Sequence, residues 1–247
     1  MRKTTGFILF LILLGATAAT AQSYPKMTFY GGYAHGLQHR NAGTFNDSEG
    51  GDTFSFEPCA ADSADILGPH LQHAVCGRHD ARGFDASIKY NLSQRLGLRA
   101  DVSSLSGRTS AVDTFGDGAD AHTDTNTIRD RTTLALVGFE LGNNSAARWR
   151  PFVHLLAGVA RQTSTDSQTS TGPFVFSIRD SVTSFAMKIG GGIDLPVSQH
   201  LDIRLIEADY VPIFAGSRHQ PGNADFDQTV GGKTANNITF GFGIVLH

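Results

Sequence analysis

The feature that most constrains this chain is a period-two alternation of apolar and polar residues. It recurs in eight segments: 27–37, 83–90, 96–105, 131–142, 151–161, 185–195, 201–213 and 236–247. A period of two places apolar side chains on one face of an extended strand. Thus Phe84, Ala86, Ile88 and Tyr90 alternate with Asp85, Ser87 and Lys89. Ile238, Phe240, Phe242, Ile244 and Leu246 likewise oppose Asn237, Thr239, Gly241 and Gly243. In 201–213 the pattern holds only with a bulge near Leu205 and Ile206, which returns Glu207 and Asp209 to the polar face. Helix is a poor alternative, because the run Gly190-Gly191-Gly192 would weaken one by ~1 kcal/mol per glycine.

The connections select the architecture. Short links at 91–95, 143–150 and 196–200 alternate with long ones at 38–82, 106–130, 162–184 and 214–235. Long loops therefore gather at one end of the sheet and short turns at the other. A soluble sandwich has no reason to keep that asymmetry, whereas an outer-membrane barrel does. Most of the segments are near the length that a tilted strand needs to cross a bilayer. The expected fold is all-β: an eight-stranded antiparallel transmembrane up-and-down β-barrel. Its polar face would supply a paired charge network in a narrow lumen, from Asp85, Lys89, Arg99, Asp101, Lys188, Asp194, Glu207 and Asp209. Its apolar face would meet lipid. Phe29, Tyr33, Phe84, Tyr90, Trp149, Phe152, Phe185, Tyr210 and Phe214 are candidates for interface girdles.

Composition agrees. With 40% hydrophobic residues and a net charge of −3, the chain can support a core and is not a disordered polyelectrolyte. No basic face suits nucleic acid. Met1-Arg2-Lys3, the apolar run Gly6 to Ala19 and the Ala19-Thr20-Ala21 site read as a signal peptide over 1–21. The expected mature barrel domain is then 22–247, with an acidic excess in the long loops and a basic excess elsewhere.

Three stretches carry a family resemblance. They are Phe29-Tyr30-Gly31-Gly32-Tyr33-Ala34, the pair Gly190-Gly191-Gly192-Ile193-Asp194 and Arg204-Leu205-Ile206-Glu207-Ala208-Asp209-Tyr210, and the closing run from Ile238 to Leu246. Together they resemble the OmpA/OmpX-type small outer-membrane β-barrel family. The resemblance implies an outer membrane of a diderm bacterium, insertion by the barrel assembly machinery, and contact with lipid and lipopolysaccharide. Family members usually end on an aromatic residue, where this chain has Leu246-His247. No OmpA-type peptidoglycan-binding domain is expected after the barrel.

Other candidate sites are few. Cys59 and Cys76 share the first long loop, and an oxidising compartment favours a disulfide. His70, His73, Cys76 and His79 offer zinc-type ligands, but their spacing fits no standard motif and no metal is expected. Asp113, Asp117, Asp120 and Asp124 offer oxygen ligands without EF-hand spacing, so 106–130 reads as a solvated, mobile loop. The Ser/Thr/Gln stretch 162–171 reads as a polar loop tip. Glu140 and His154 are placed to pair inside the barrel. Barrel deacylases of lipid A use a His-x-Ser pair on the outer face, and no expected strand carries one; Gly-x-Ser-x-Gly is absent as well. No catalytic residue or cofactor is expected. The resulting expectation is a structural or surface-interaction, adhesin-like role through long external loops. The alternatives are a narrow, porin-like solute channel and, less favoured, a lipid-modifying barrel enzyme.

Overall fold

The computed structural model describes residues 24–39, 45–49, 52–116, 118, 121–143, 148–171, 176–216, 218–221, 227–230 and 234–247. The expected signal peptide over 1–21 and the residues Asp117 and Asp120 lie outside the described residues.

The strands are β1 (Met27–His39), β2 (Phe45–Glu49), β3 (Asp52–Phe56), β4 (Arg78–Asn91), β5 (Leu96–Phe115), β6 (His122–Gly142), β7 (Arg150–Ser170), β8 (Phe176–Pro196), β9 (Leu201–Phe214), β10 (Arg218–Pro221), β11 (Asp227–Val230) and β12 (Thr234–Leu246). A 3-10 turn at Ala61–Ser63, helix α1 (Ala64–Leu67) and helix α2 (Pro69–Cys76) lie between β3 and β4. Eight strands close an antiparallel barrel in the order β1-β12-β9-β8-β7-β6-β5-β4, and β10-β11-β2-β3 form a separate four-stranded sheet. Every expected strand is present, and each neighbours the next except where β12 returns to β1. Closure pairs the backbone polar groups within the sheet, as a spanning structure in lipid requires. Among the described residues no helix is long and apolar enough to cross a membrane.

The expected bulge is in place. On one side Gly241 pairs with Glu207 and Gly243 with Arg204; on the other Ile193 pairs with Ile206 and Asp194 with Arg204. Leu205 and Ile206 therefore both point outward, while Arg204, Glu207 and Asp209 all point in.

The outer surface is apolar over a broad band. Phe84, Val102, Val137, Phe139, Val153, Leu155, Phe185, Phe242 and Ile244 are each about half exposed, more apolar surface than a water-facing wall tolerates. One girdle candidate is misplaced. Phe152 is buried in the lumen rather than lipid-facing, because its even position on β7 belongs to the inward set with His154 and Leu156. Nor is the lumen polar throughout. Leu134, Leu136, Leu156, Ala160, Ala186, Val211, Ile213 and Ala235 form one inward apolar cluster extending toward the long-loop end.

The second and third long loops are shorter than the sequence implies. β5 and β6 stay paired as far as Phe115 and His122, and β7 and β8 as far as Gln168 and Phe176. The expected mobile loop at 106–130 and loop tip at 162–171 are instead mostly strand. Alternating Ser and Thr suit a pleated surface, and they meet across it at Ser104–Thr133 (3.3 Å), Ser110–Thr127 (3.4 Å) and Thr114–Thr123 (3.2 Å). β5 to β8 run 20 or 21 residues, against 13 or 14 for β1, β4, β9 and β12. Since about 10 tilted residues cross a bilayer, one half of the wall stands well above the other.

Candidate functional site

Inward positions of six strands bring ten charged side chains and one histidine into a single network. Arg99 on β5 is fully buried at its centre. Its Nη2 donates to Asp101 Oδ2 and Glu207 Oε1, both at 2.8 Å, and its Nη1 donates to Glu140 Oε2 at 3.1 Å. Nη1 also lies 3.2 Å from His154 Nδ1. An arginine N–H must be the donor there, so Nε2 carries the imidazole hydrogen, 3.0 Å from Asp209 Oδ1.

Lys188 on β8 is a second hub. Its Nζ lies 2.6 Å from Asp85 Oδ2, 3.3 Å from Asp101 and from Asp209, and 3.6 Å from Glu207. Arg204 on β9 forks onto both oxygens of Asp194, at 2.8 and 3.0 Å, and donates to Glu207 Oε2 at 2.5 Å. Its guanidinium is sandwiched between the rings of Tyr30 and Phe152, 4.1 Å from each centroid, a favourable cation–π geometry once water is excluded. Lys89 completes the set with a 2.7 Å contact to Glu140. Nearer the short-turn end, Asp202 receives Arg150 at 2.7 Å and His247 at 2.9 Å.

Asp85, Lys89, Arg99, Asp101, Lys188, Asp194, Glu207 and Asp209 all face the lumen and are joined through these contacts. Glu140 and His154 also face inward, but they meet through Arg99 rather than directly. Sequence reasoning missed Arg204, Asp202, Tyr30 and Phe152 as lumen residues. The signal for the first two was the bulge itself, since positions before it keep the even phase.

Two groups have ligand atoms close enough for a metal ion, His154 with Glu207 and Asp209, and Asp85 with Asp101 and Glu207. The Lys188 ammonium already lies within 3.6 Å of every carboxylate in both groups. That cation supplies the charge compensation a metal would bring. What the network can do is fill this level of the lumen with fixed, buried, mutually paired charge.

At the long-loop end, helix α2 rests against the inner face of β5 and β6, where Ala74 packs with Ala111 and Ile128, flanked by Leu71 and Val75. Asp113 of β5 caps it: Oδ1 accepts from the His70 amide at 3.1 Å and Oδ2 from the Leu71 amide at 2.9 Å. Gly68, at φ 82°, turns the chain into the helix, where a side chain would strike Asp113. A disulfide joins Cys59 to Cys76 at the far end of α2, with S–S 2.03 Å. Cys76 is thereby withdrawn from any zinc set, and Asp113 is a helix cap rather than a calcium ligand.

Among proteins of known structure, the chain is similar to several outer-membrane proteins. Ail, the attachment invasion locus protein of Yersinia pestis, solved with the heparin analogue sucrose octasulfate, is 11% identical, with 90% of this chain and 100% of Ail covered and a TM-score of 0.38. OprG of Pseudomonas aeruginosa is 10% identical over 91% and 96%, TM-score 0.48. The outer membrane protease OmpT of Escherichia coli is 12% identical over 92% and 98%, TM-score 0.47. No curated protein matches the sequence significantly. The family described as "Outer membrane protein beta-barrel domain" matches residues 7–245. With a closed eight-stranded barrel and a match over nearly its whole length, the chain belongs to that outer-membrane β-barrel family.

Proposed function

We propose that this outer-membrane barrel is a non-enzymatic, non-conducting protein with a structural and surface-interaction, adhesin-like role, acting through its long-loop end on the cell exterior. The observation that carries the reading is the buried network of Arg99, Lys188 and Glu207, which occupies the lumen where a channel would need water. Eight strands enclose an interior that side chains alone can fill. With the lumen closed, the surfaces left for contact are the lipid-facing wall and the projecting upper strands β5 to β8. Short turns on the periplasmic side and longer segments outside are the usual orientation of such barrels. Insertion would rely on the barrel assembly machinery, and the resident partners would be outer-membrane lipid and lipopolysaccharide.

Two measurements test this. Purified barrel in a planar bilayer should give no unitary conductance; reproducible steps would restore the channel alternative. Cells expressing the protein should attach to immobilised matrix proteins. That attachment should fall when residues 108–129 are replaced by a short turn while the heat-modifiable folded band persists. Equal attachment by both sets of cells would remove the surface-interaction role.

A further inference from the structure

The projecting half of the wall separates its charges by face. On the outer face of β5 to β8, above the apolar band, stand Arg108, Arg129, Arg131, Arg161 and Arg179. Their outward neighbours are serines and threonines, with Val112. The acids of the same segments, Asp113, Asp124, Asp130, Asp166 and Asp180, occupy the opposite, inward phase. An exposed cation pattern on a solvated wall would mix signs; here it is of one sign, in a protein whose loops are acidic.

The registers place the arginines together. Arg108 pairs directly with Arg129, Arg129 with Thr165, and Thr165 with Arg179. One step down, Ser106, Arg131, Thr163 and Ser181 lie side by side; below them come Ser104, Thr133, Arg161 and Thr183. The next outward row is Val102, Ala135, Val159 and Phe185, the upper edge of the apolar band. Outward rows on a strand are about 6.6 Å apart. Arg161 therefore stands one row above the hydrocarbon edge, with Arg131 and then Arg129 above it.

All five arginines line one groove of ≈ 680 Å³, shared with Ser106, Thr133, Thr163 and Thr165. Asp130 is the single acid lining it, and its carboxylate lies 3.3 Å from His79 Nε2. Among the described residues none of the five arginines forms an ion pair, and the one hydrogen bond their side chains make is donated by Arg131 Nε to Ser106 Oγ, at 3.4 Å. Like charges opposite one another on adjacent strands are destabilising by themselves. Five such guanidiniums with hydroxyl donors between them are complementary to a polyanion, and the planar fork of arginine suits phosphate.

We propose that this groove binds the phosphorylated headgroup of an outer-leaflet glycolipid, with its acyl chains on the apolar band below and its phosphates between Arg161, Arg131 and Arg129. The height of the groove above the band argues for a lipid headgroup rather than a soluble anion. The inference rests on the external orientation of the long-loop end, which protease shaving of whole cells reads separately.

The test uses the full chain folded in a zwitterionic detergent, with native mass spectrometry counting bound lipid. Wild-type protein should retain bisphosphorylated lipid A and lose most of that retention with dephosphorylated lipid A. The variant R129S/R131S should bind about tenfold or more weakly, since a charge-assisted contact contributes roughly 1.5–3 kcal/mol, about tenfold or more in affinity. The charge-matched control R95S/R148S, at the short-turn end, should bind as wild type. Heat-modifiable mobility reports folding of each variant; if R129S/R131S does not fold, the comparison of the two lipids on wild type still decides. Equal retention of both lipids, an unaffected R129S/R131S, or saturation by inorganic pyrophosphate with no retained lipid would each overturn the proposal.

Discussion

Glu207 accepts hydrogen bonds from both Arg99 and Arg204 and lies 3.6 Å from the Lys188 ammonium. Removing its charge leaves three buried cations short of a partner, so Glu207→Gln should cost about 3–5 kcal/mol. Urea unfolding in lipid vesicles, followed through the single tryptophan Trp149, should show that loss as a lower midpoint. An unchanged midpoint would mean that the network contributes nothing net. Gly192 tests the same layer by volume. A Cβ there would strike the backbone carbonyl oxygen of Ile206 and stand 2.7 Å from Phe152 Cζ, in the ring that stacks on Arg204. Gly192→Val should thus lower the folded fraction on refolding, at a cost of about 1–3 kcal/mol. Most of this layer was legible in the sequence, because a charged residue in a period-two strand must lie on the face opposite its apolar neighbours. Arg204 was missed although the expected bulge marks it, since the positions before that bulge keep the even phase inward. Tyr30 and Phe152 were not legible: an aromatic ring reads the same whether it faces lipid or stacks on a buried guanidinium.

At the scale of elements, α2 is a short helix held by a partner that is remote in sequence. Asp113 satisfies two of its first free amides, so Asp113→Ala should release about 1 kcal/mol of capping. The expected readout is faster protease cleavage within 60–76 while the barrel still shows its heat-modifiable shift. Reducing the Cys59–Cys76 bridge should act on the same segment, removing roughly 3 kcal/mol of loop constraint in the chain-entropy account. A barrel that loses its gel shift on reduction would contradict that confinement to one segment. The sequence located the eight strands but stopped four of them short. Runs such as Gln162–Ser170 carry few apolar residues, and a strand with two polar faces has no hydrophobic alternation to read. What extends β5 to β8 is pairing with an equally polar neighbour, a relation between segments that composition alone does not contain.

At the scale of the whole molecule, a charge-filled lumen and a lopsided wall divide the work. The spanning band is a fixed frame, and the projecting half of the barrel is the part that differs from a minimal barrel. The unequal wall also has a consequence in time. β5 and β6 share twenty register pairs across a connection of a few residues, whereas β1 and β12 share nine across almost the entire chain. Loop-closure entropy makes the local hairpins fast and the distant pairing slow. The tall side can therefore form early as a curved, open sheet, with the β1–β12 seam closing last. Until that seam closes, the barrel interior has an open flank, and the arginine–carboxylate network has no wall on one side to keep water out.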